Sequence, residues 1–88
     1  MASYLITYTI KNDDVRESIN DFLEAQGFNQ NVDQSTRFGN FNGKKEQLII
    51  ILQNARKTYQ MNKKDTLFLF YSGKNKNDEH SIFMKEIL

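Results

Sequence analysis

An α+β domain of ferredoxin-like type, βαββαβ, with one antiparallel sheet and two helices on one face, is the fold this 88-residue chain predicts. Three observations carry it. A β-rich run, Tyr4-Leu5-Ile6-Thr7-Tyr8-Thr9-Ile10, passes directly into a polar turn and an amphipathic helix. A second apolar segment lacking Gly and Pro, Lys45 to Tyr59, follows two short strand-like stretches. An apolar run, Leu67-Phe68-Leu69-Phe70-Tyr71, then closes the pattern, and the order strand, helix, strand, strand, helix, strand is that of a split βαβ unit.

The first helix has the clearest periodicity. Val15, Ile19, Phe22 and Leu23 stand at i, i+4, i+7 and i+8, which is one helical face. Asp14 with Glu17 three residues on predicts a capping box with Asp14 as N-cap. Gly27 suits the left-handed position after a helix, and Phe28 the apolar contact beyond it.

Residues Asn29 to Gln34 read as a short, polar edge strand, and Ser35 to Phe41 as another strand in which Gly39 marks a bulge or a close backbone approach. Asn42-Gly43 is a turn signal. Leu48-Ile49-Ile50-Ile51-Leu52 suits either a buried strand or a helix, and periodicity alone does not type such a run. The helix is preferred because Leu48, Ile51, Leu52, Ala55 and Tyr59 keep one face. Asn62 to Asp65 and Gly73 to Glu79 are solvated loops, and Thr66 to Tyr71 is a strand apolar on both sides. The tail from Ser81 to Leu88 is a last short strand or a helical turn.

Composition bounds the chemistry. One compact domain is expected, and a chain this short buries only about 60–65 % of its unfolded surface, so dimerisation is a natural remedy. There is no cysteine, hence no disulfide or thiolate metal site, which fits a reducing cytoplasm. His80 is the only histidine, so one chain holds no multi-histidine metal centre. No apolar run reaches the ~20 residues of a membrane span, and the first residues lack a signal-peptide pattern. The net charge of +1 is low for a nucleic-acid binder. Lysine far outnumbers arginine, asparagine is abundant and proline absent, a usage typical of AT-rich bacterial and phage genomes.

Several residues are candidates for function. Asp13 and Asp14 are the weak catalytic candidates; they also suit a helix cap that complements the dipole, worth ~1 kcal/mol. Arg16, near the helix start, suits phosphate or plain solvation. Lys44 and Lys45 lie at the start of the second helix, where cations oppose the dipole and so hint at an anionic partner. Arg56 and Lys57, near its other end, complement the dipole. Tyr4, Tyr8, Phe38, Phe41, Phe68, Phe70 and Tyr71 are strand aromatics, and those on the uncovered sheet face either stack bases or bury against a second subunit. The low charge favours burial. Asp78, His80 and Ser81 do not make a catalytic triad, whose members are assembled by the fold rather than by adjacency.

These residues resemble the small CRISPR-associated adaptation nuclease family, the second core adaptation protein. In that family an apolar first strand ends in Tyr-Asp, before a polar turn with Asp and a basic helix start; Tyr4 to Thr9 followed by Asp13-Asp14-Val15-Arg16 is similar. Gln26-Gly27-Phe28 resembles the family's Tyr-Gly-Phe corner, Ser35-Thr36-Arg37-Phe38-Gly39 its Ser-Val-Phe-Glu-Gly strand, and Asp65 an Asp before the last core strand. The likeness spans roughly residues 4–71. It extends to SinR-like proteins, which the run from Ala2 to Tyr8 resembles most, and to antitoxin ribonucleases. It implies a ferredoxin-like homodimer. Apart from the resemblance, Thr9, Arg16, Arg37, Lys44, Lys45, Tyr8, Phe68 and Phe70 are the candidate residues for contact with a protein, RNA or DNA partner. Thr9 stands where the family has its metal-binding Asp, and a neutral hydroxyl lacks the anionic oxygen that Mg²⁺ demands. The reading is therefore a binding or regulatory protein with no metal and no cofactor. The alternatives are a ribonuclease using Asp13 or Asp14, and a small phage- or plasmid-encoded inhibitor.

Overall fold

The computed structural model describes residues 2–74 and 81–88. Its elements are β1 (Ala2–Thr9), α1 (Asp13–Ala25), β2 (Gln30–Asp33), β3 (Thr36–Phe41), α2 (Lys45–Thr58), β4 (Thr66–Lys74) and β5 (Ser81–Ile87). One antiparallel sheet runs in the order β2-β3-β1-β4-β5. The first four strands are the ferredoxin-like arrangement, and β5 extends it at the β4 edge. The tail is thus a strand, and Leu48 to Leu52 lie in α2 rather than in a hairpin. Of the loop expected over Gly73 to Glu79, Gly73 and Lys74 instead extend β4, paired with Ile82 and Ser81, and the rest, with His80, lies outside the described residues.

α1 begins two residues earlier than its expected cap allows. The N-cap is Asn12, not Asp14, because the Asn12 side-chain oxygen accepts from the amides of Asp14 and Val15 at 2.9 and 3.1 Å. Asp13 and Asp14 fall in the first turn, where their charge complements the dipole. The helix ends as expected. Gly27 has φ +107°, the Phe28 amide donates to the Leu23 carbonyl at 2.9 Å, and the Gly27 amide to that of Glu24 at 3.1 Å. This is the Schellman pattern, in which a residue without Cβ takes the left-handed position.

Strand parity sorts the sheet into two faces. Tyr4, Ile6, Tyr8 and Ile10 point under the helices, and Leu67, Leu69 and Tyr71 do the same on β4. They meet Ile19 and Leu23 from α1, Phe28 from the corner, and Leu48, Leu52 and Ala55 from α2. Ile6, Leu23, Phe28, Leu48, Leu52 and Leu69 are fully buried, each worth about 1.5–3 kcal/mol over its exposed state. Val15 and Phe22 pack against the margin of this core.

Gly39 is a close approach rather than a bulge. A Cβ there would lie 2.3 Å from the Gly27 carbonyl oxygen and 2.6 Å from the Phe28 Cα. The α1–β2 corner therefore rests directly on the β3 backbone. The one irregularity among these strands is in the β2–β3 pairing, between Asn31 and Asp33.

Candidate functional site

The sheet face opposite the helices is the most distinctive surface. On β1 it carries Ser3, Leu5, Thr7 and Thr9, on β3 Thr36, Phe38 and Asn40, and on β4 Thr66, Phe68 and Phe70. Leu5 pairs with Phe38 on one side and Phe70 on the other, so three apolar residues lie in a row across the central strands. Thr7 pairs with Thr36 and Phe68, and Phe68 with Ile87, which is 69 % exposed. The Phe68 and Phe70 rings are 6.4 Å apart at 56°. Leu5, Phe38, Phe68 and Phe70 are all half-buried. Polar positions on this face bond to each other, as Ser3 Oγ does to Asn40 Oδ1 at 2.6 Å. None of these ten residues is charged, and the flanking strands place Asp33 opposite Thr36 and Lys85 opposite Phe70. A phosphate-tracking platform combines aromatics with several cations, whereas the centre of this face is apolar and neutral, the composition of a buried contact.

The turn between β1 and α1 is built differently from the face. Thr9 is exposed at the end of β1 and pairs with Thr66. Asp13 is exposed and forms an i,i+3 ion pair with Arg16 at 2.8 Å, while Asp14 is exposed with its amide on Asn12. Asp13, Arg16, Glu17, Asn20, Asn31 and Gln34 line an open polar cleft of ≈ 410 Å³. Among the described residues, no three His, Cys, Asp or Glu side chains gather as a metal-binding group. Asp65 is buried and serves the backbone: Oδ2 accepts from the Asn62 amide at 2.8 Å and Oδ1 from that of Lys11 at 3.3 Å.

Two expected contact residues belong to the interior. Arg37 pairs with Ile6 in register, so parity sends it under α1, where it is 7 % exposed. Its Nε donates to the Phe28 carbonyl at 2.7 Å and its Nη1 to Asn20 Oδ1 at 3.3 Å. Tyr8 is fully buried and its hydroxyl donates to the same Asn20 oxygen. Burial raises the Tyr8 phenol above its ordinary 10.0, while the Arg37 charge pulls the other way. Neither side chain presents itself to a partner. Asn20, which joins them, carried no signal in the sequence beyond its place on the inner half of α1.

Of the two lysines at the start of α2, Lys45 has a side-chain partner, while the bond at Lys44 is made by its main chain. The Lys44 amide, at the N-cap, donates to Gln47 Oε1 at 3.0 Å. Lys45 Nζ donates to the Tyr71 hydroxyl at 3.0 Å and lies 4.7 Å from that ring's centroid, a cation–π contact. Glu46 in the first turn offsets part of the unfavourable dipole interaction.

The fold and the surface define a small α+β domain of ferredoxin-like topology whose sheet face opposite the helices carries an apolar centre. No protein-family model matches the chain and no curated protein is significantly similar to it. No helix among the described residues is long and apolar enough to cross a membrane.

Proposed function

We propose that this chain is a non-catalytic, homodimeric binding or regulatory protein with an adaptation-nuclease-like fold, joined to its second copy through the open sheet face and leaving its flanks for a protein or nucleic-acid partner. The observation that carries this reading is the apolar row Phe38–Leu5–Phe70 across the central strands of the open face. A net charge of +1 puts little repulsion between two copies. A single sheet covered on one side also leaves apolar surface that a second subunit would remove from water.

Leu5→Lys tests it. A lysine at the centre of the row buries a charge only in the dimer, so sedimentation should show wild type as a dimer and the variant as a folded monomer. A wild-type protein that stays monomeric at tens of micromolar, a concentration at which mass action reveals weak dimers, overturns the reading. Labelled RNA and DNA should remain uncleaved with Mg²⁺. Cleavage that disappears in Asp14→Asn would replace the binding protein with a ribonuclease.

A further inference from the structure

The C-terminal end of α2 carries a second feature, independent of the sheet face. An open groove of ≈ 640 Å³ is lined by Gln53, Arg56, Lys57, Gln60, Met61 and Lys63, with Leu88 at one side. That volume is in the range of small-molecule sites. Gln53, Arg56 and Lys57 stand at i, i+3 and i+4, so the last turns of α2 present them on one face, and Gln60 follows just past the helix end. Among the described residues, no acidic side chain lines the groove.

Arg56 is held in place from one side only. Its Nη2 donates to the Asp65 carbonyl at 2.6 Å and the Asn62 carbonyl at 3.1 Å. Its Nη1 is shielded from solvent and has no hydrogen-bond partner among the described residues. A guanidinium presents its donors in a fixed fork suited to two oxygens of one anion, and a shielded donor without an acceptor costs about 1–3 kcal/mol. Complementing the helix dipole does not account for the cluster. The dipole amounts to about half a negative charge, against three full positive ones. The carboxylate of Asp65, whose main-chain carbonyl takes Arg56, is already engaged by two amides. Gln60, on the groove wall, is the only non-glycine residue at positive φ among those described, at 58°. That φ is the left-handed position of the cap that ends α2.

We propose that this groove binds a small organic phosphate. Arg56, Lys57 and Lys63 take the phosphate oxygens, Gln53 and Gln60 offer amide hydrogen bonds, and Met61 with Leu88 forms an apolar floor for the attached organic group. The apolar floor separates this class from free inorganic anions, which would gain nothing from it.

The test is an amide NMR titration of the full chain with three probes: phenyl phosphate, inorganic phosphate and phenol. Phenyl phosphate should shift the resonances of Arg56, Lys57, Gln60 and Lys63 saturably, and bind about tenfold more tightly than inorganic phosphate, an increment of one apolar contact. Phenol alone should bind more weakly than phenyl phosphate. Lys57→Ala with Lys63→Ala, both exposed positions, should weaken phenyl phosphate about tenfold or more while the spectrum stays that of the folded chain. Lys63→Glu alone should weaken it in the same direction, and Lys44→Ala should leave it unchanged. Shifts spread evenly over every lysine-bearing surface, no saturable shift, or unaltered binding in the double variant would overturn the proposal.

Discussion

Arg37 Nε donates to the main-chain oxygen of Phe28 at 2.7 Å, and both residues are buried. The bond ties strand β3 to the corner that follows α1, and the same guanidinium reaches Asn20 on the helix itself. A charge so placed is held by hydrogen bonds to the backbone rather than by its ion pair. Glu24 is 4.0 Å away and mostly exposed, a separation and setting worth little. Arg37→Ala removes these bonds and leaves the Phe28 carbonyl without its donor. Urea unfolding should show a loss of about 2–3 kcal/mol. Arg37→Lys keeps the charge without the fork and should fall between the two.

Gly39 is expected to tolerate no side chain. In Gly39→Ala the new methyl meets the Gly27 carbonyl oxygen and the Phe28 Cα, both backbone atoms that cannot rotate away. The corner must lift from the sheet, at a cost of about 3 kcal/mol or more, at the upper end of overpacking effects. Gly43→Ala is the comparison, because its nearest neighbours are the ring of Phe41 and the side chain of Gln47, which can shift. Thermal unfolding of the two variants should rank Gly39→Ala far below Gly43→Ala.

Gln60→Gly should stabilise the protein. Gln60 occupies the left-handed position after α2, where the Met61 amide donates to Arg56 and the Gln60 amide to Lys57. Glycine relieves about 1–2 kcal/mol of steric cost at that φ and adds back about 0.4–1 kcal/mol of unfolded-chain entropy. A net gain of roughly 0.5 kcal/mol follows from these opposing terms. An equilibrium denaturation midpoint that falls instead would show that the Gln60 side chain contributes more than its backbone strain costs.

Stability should decline in alkali. Burial raises the phenols of Tyr4 and Tyr8 above 10.0, the largest cause for both, with Lys45 opposing at Tyr4 and Arg37 at Tyr8. A raised folded-state pKa means that the unfolded chain ionises first. The contribution is whole below pH 10 and is lost as pH rises through the folded values. Denaturation midpoints should therefore fall above pH 10, and phenolate absorbance at high pH should rise together with unfolding. Tyr8→Phe should flatten part of that decline.

Much of this protein is determined locally and could be read along the chain. The α1 stripe is a period of 3.6, and Gly27 followed by Phe28 sets the end of that helix through backbone geometry and one contact. The branched run at Leu48 is a helix because its neighbours share one face over fourteen residues, more than a strand of five could use. Phe68 and Phe70 lie on the open face, as alternation along a strand requires once Leu67 and Leu69 are core. What alternation along one strand leaves undecided is which face the other strands' residues take, because that depends on register with a partner far away in sequence. The pairing of Ile6 with Arg37 turned a surface arginine into a buried one, and Tyr8 and Tyr71 went under the helices while Phe38 did not. Asn12 rather than Asp14 caps α1 because the chain leaves β1 at a point fixed by the sheet, which sets where the first free amides fall. Asp65 matched a motif, yet only the meeting of two loops showed that its carboxylate holds the backbone of Lys11 and Asn62. Local sequence carries the period of each element, and long-range pairing decides the parity, which is what separates core from surface.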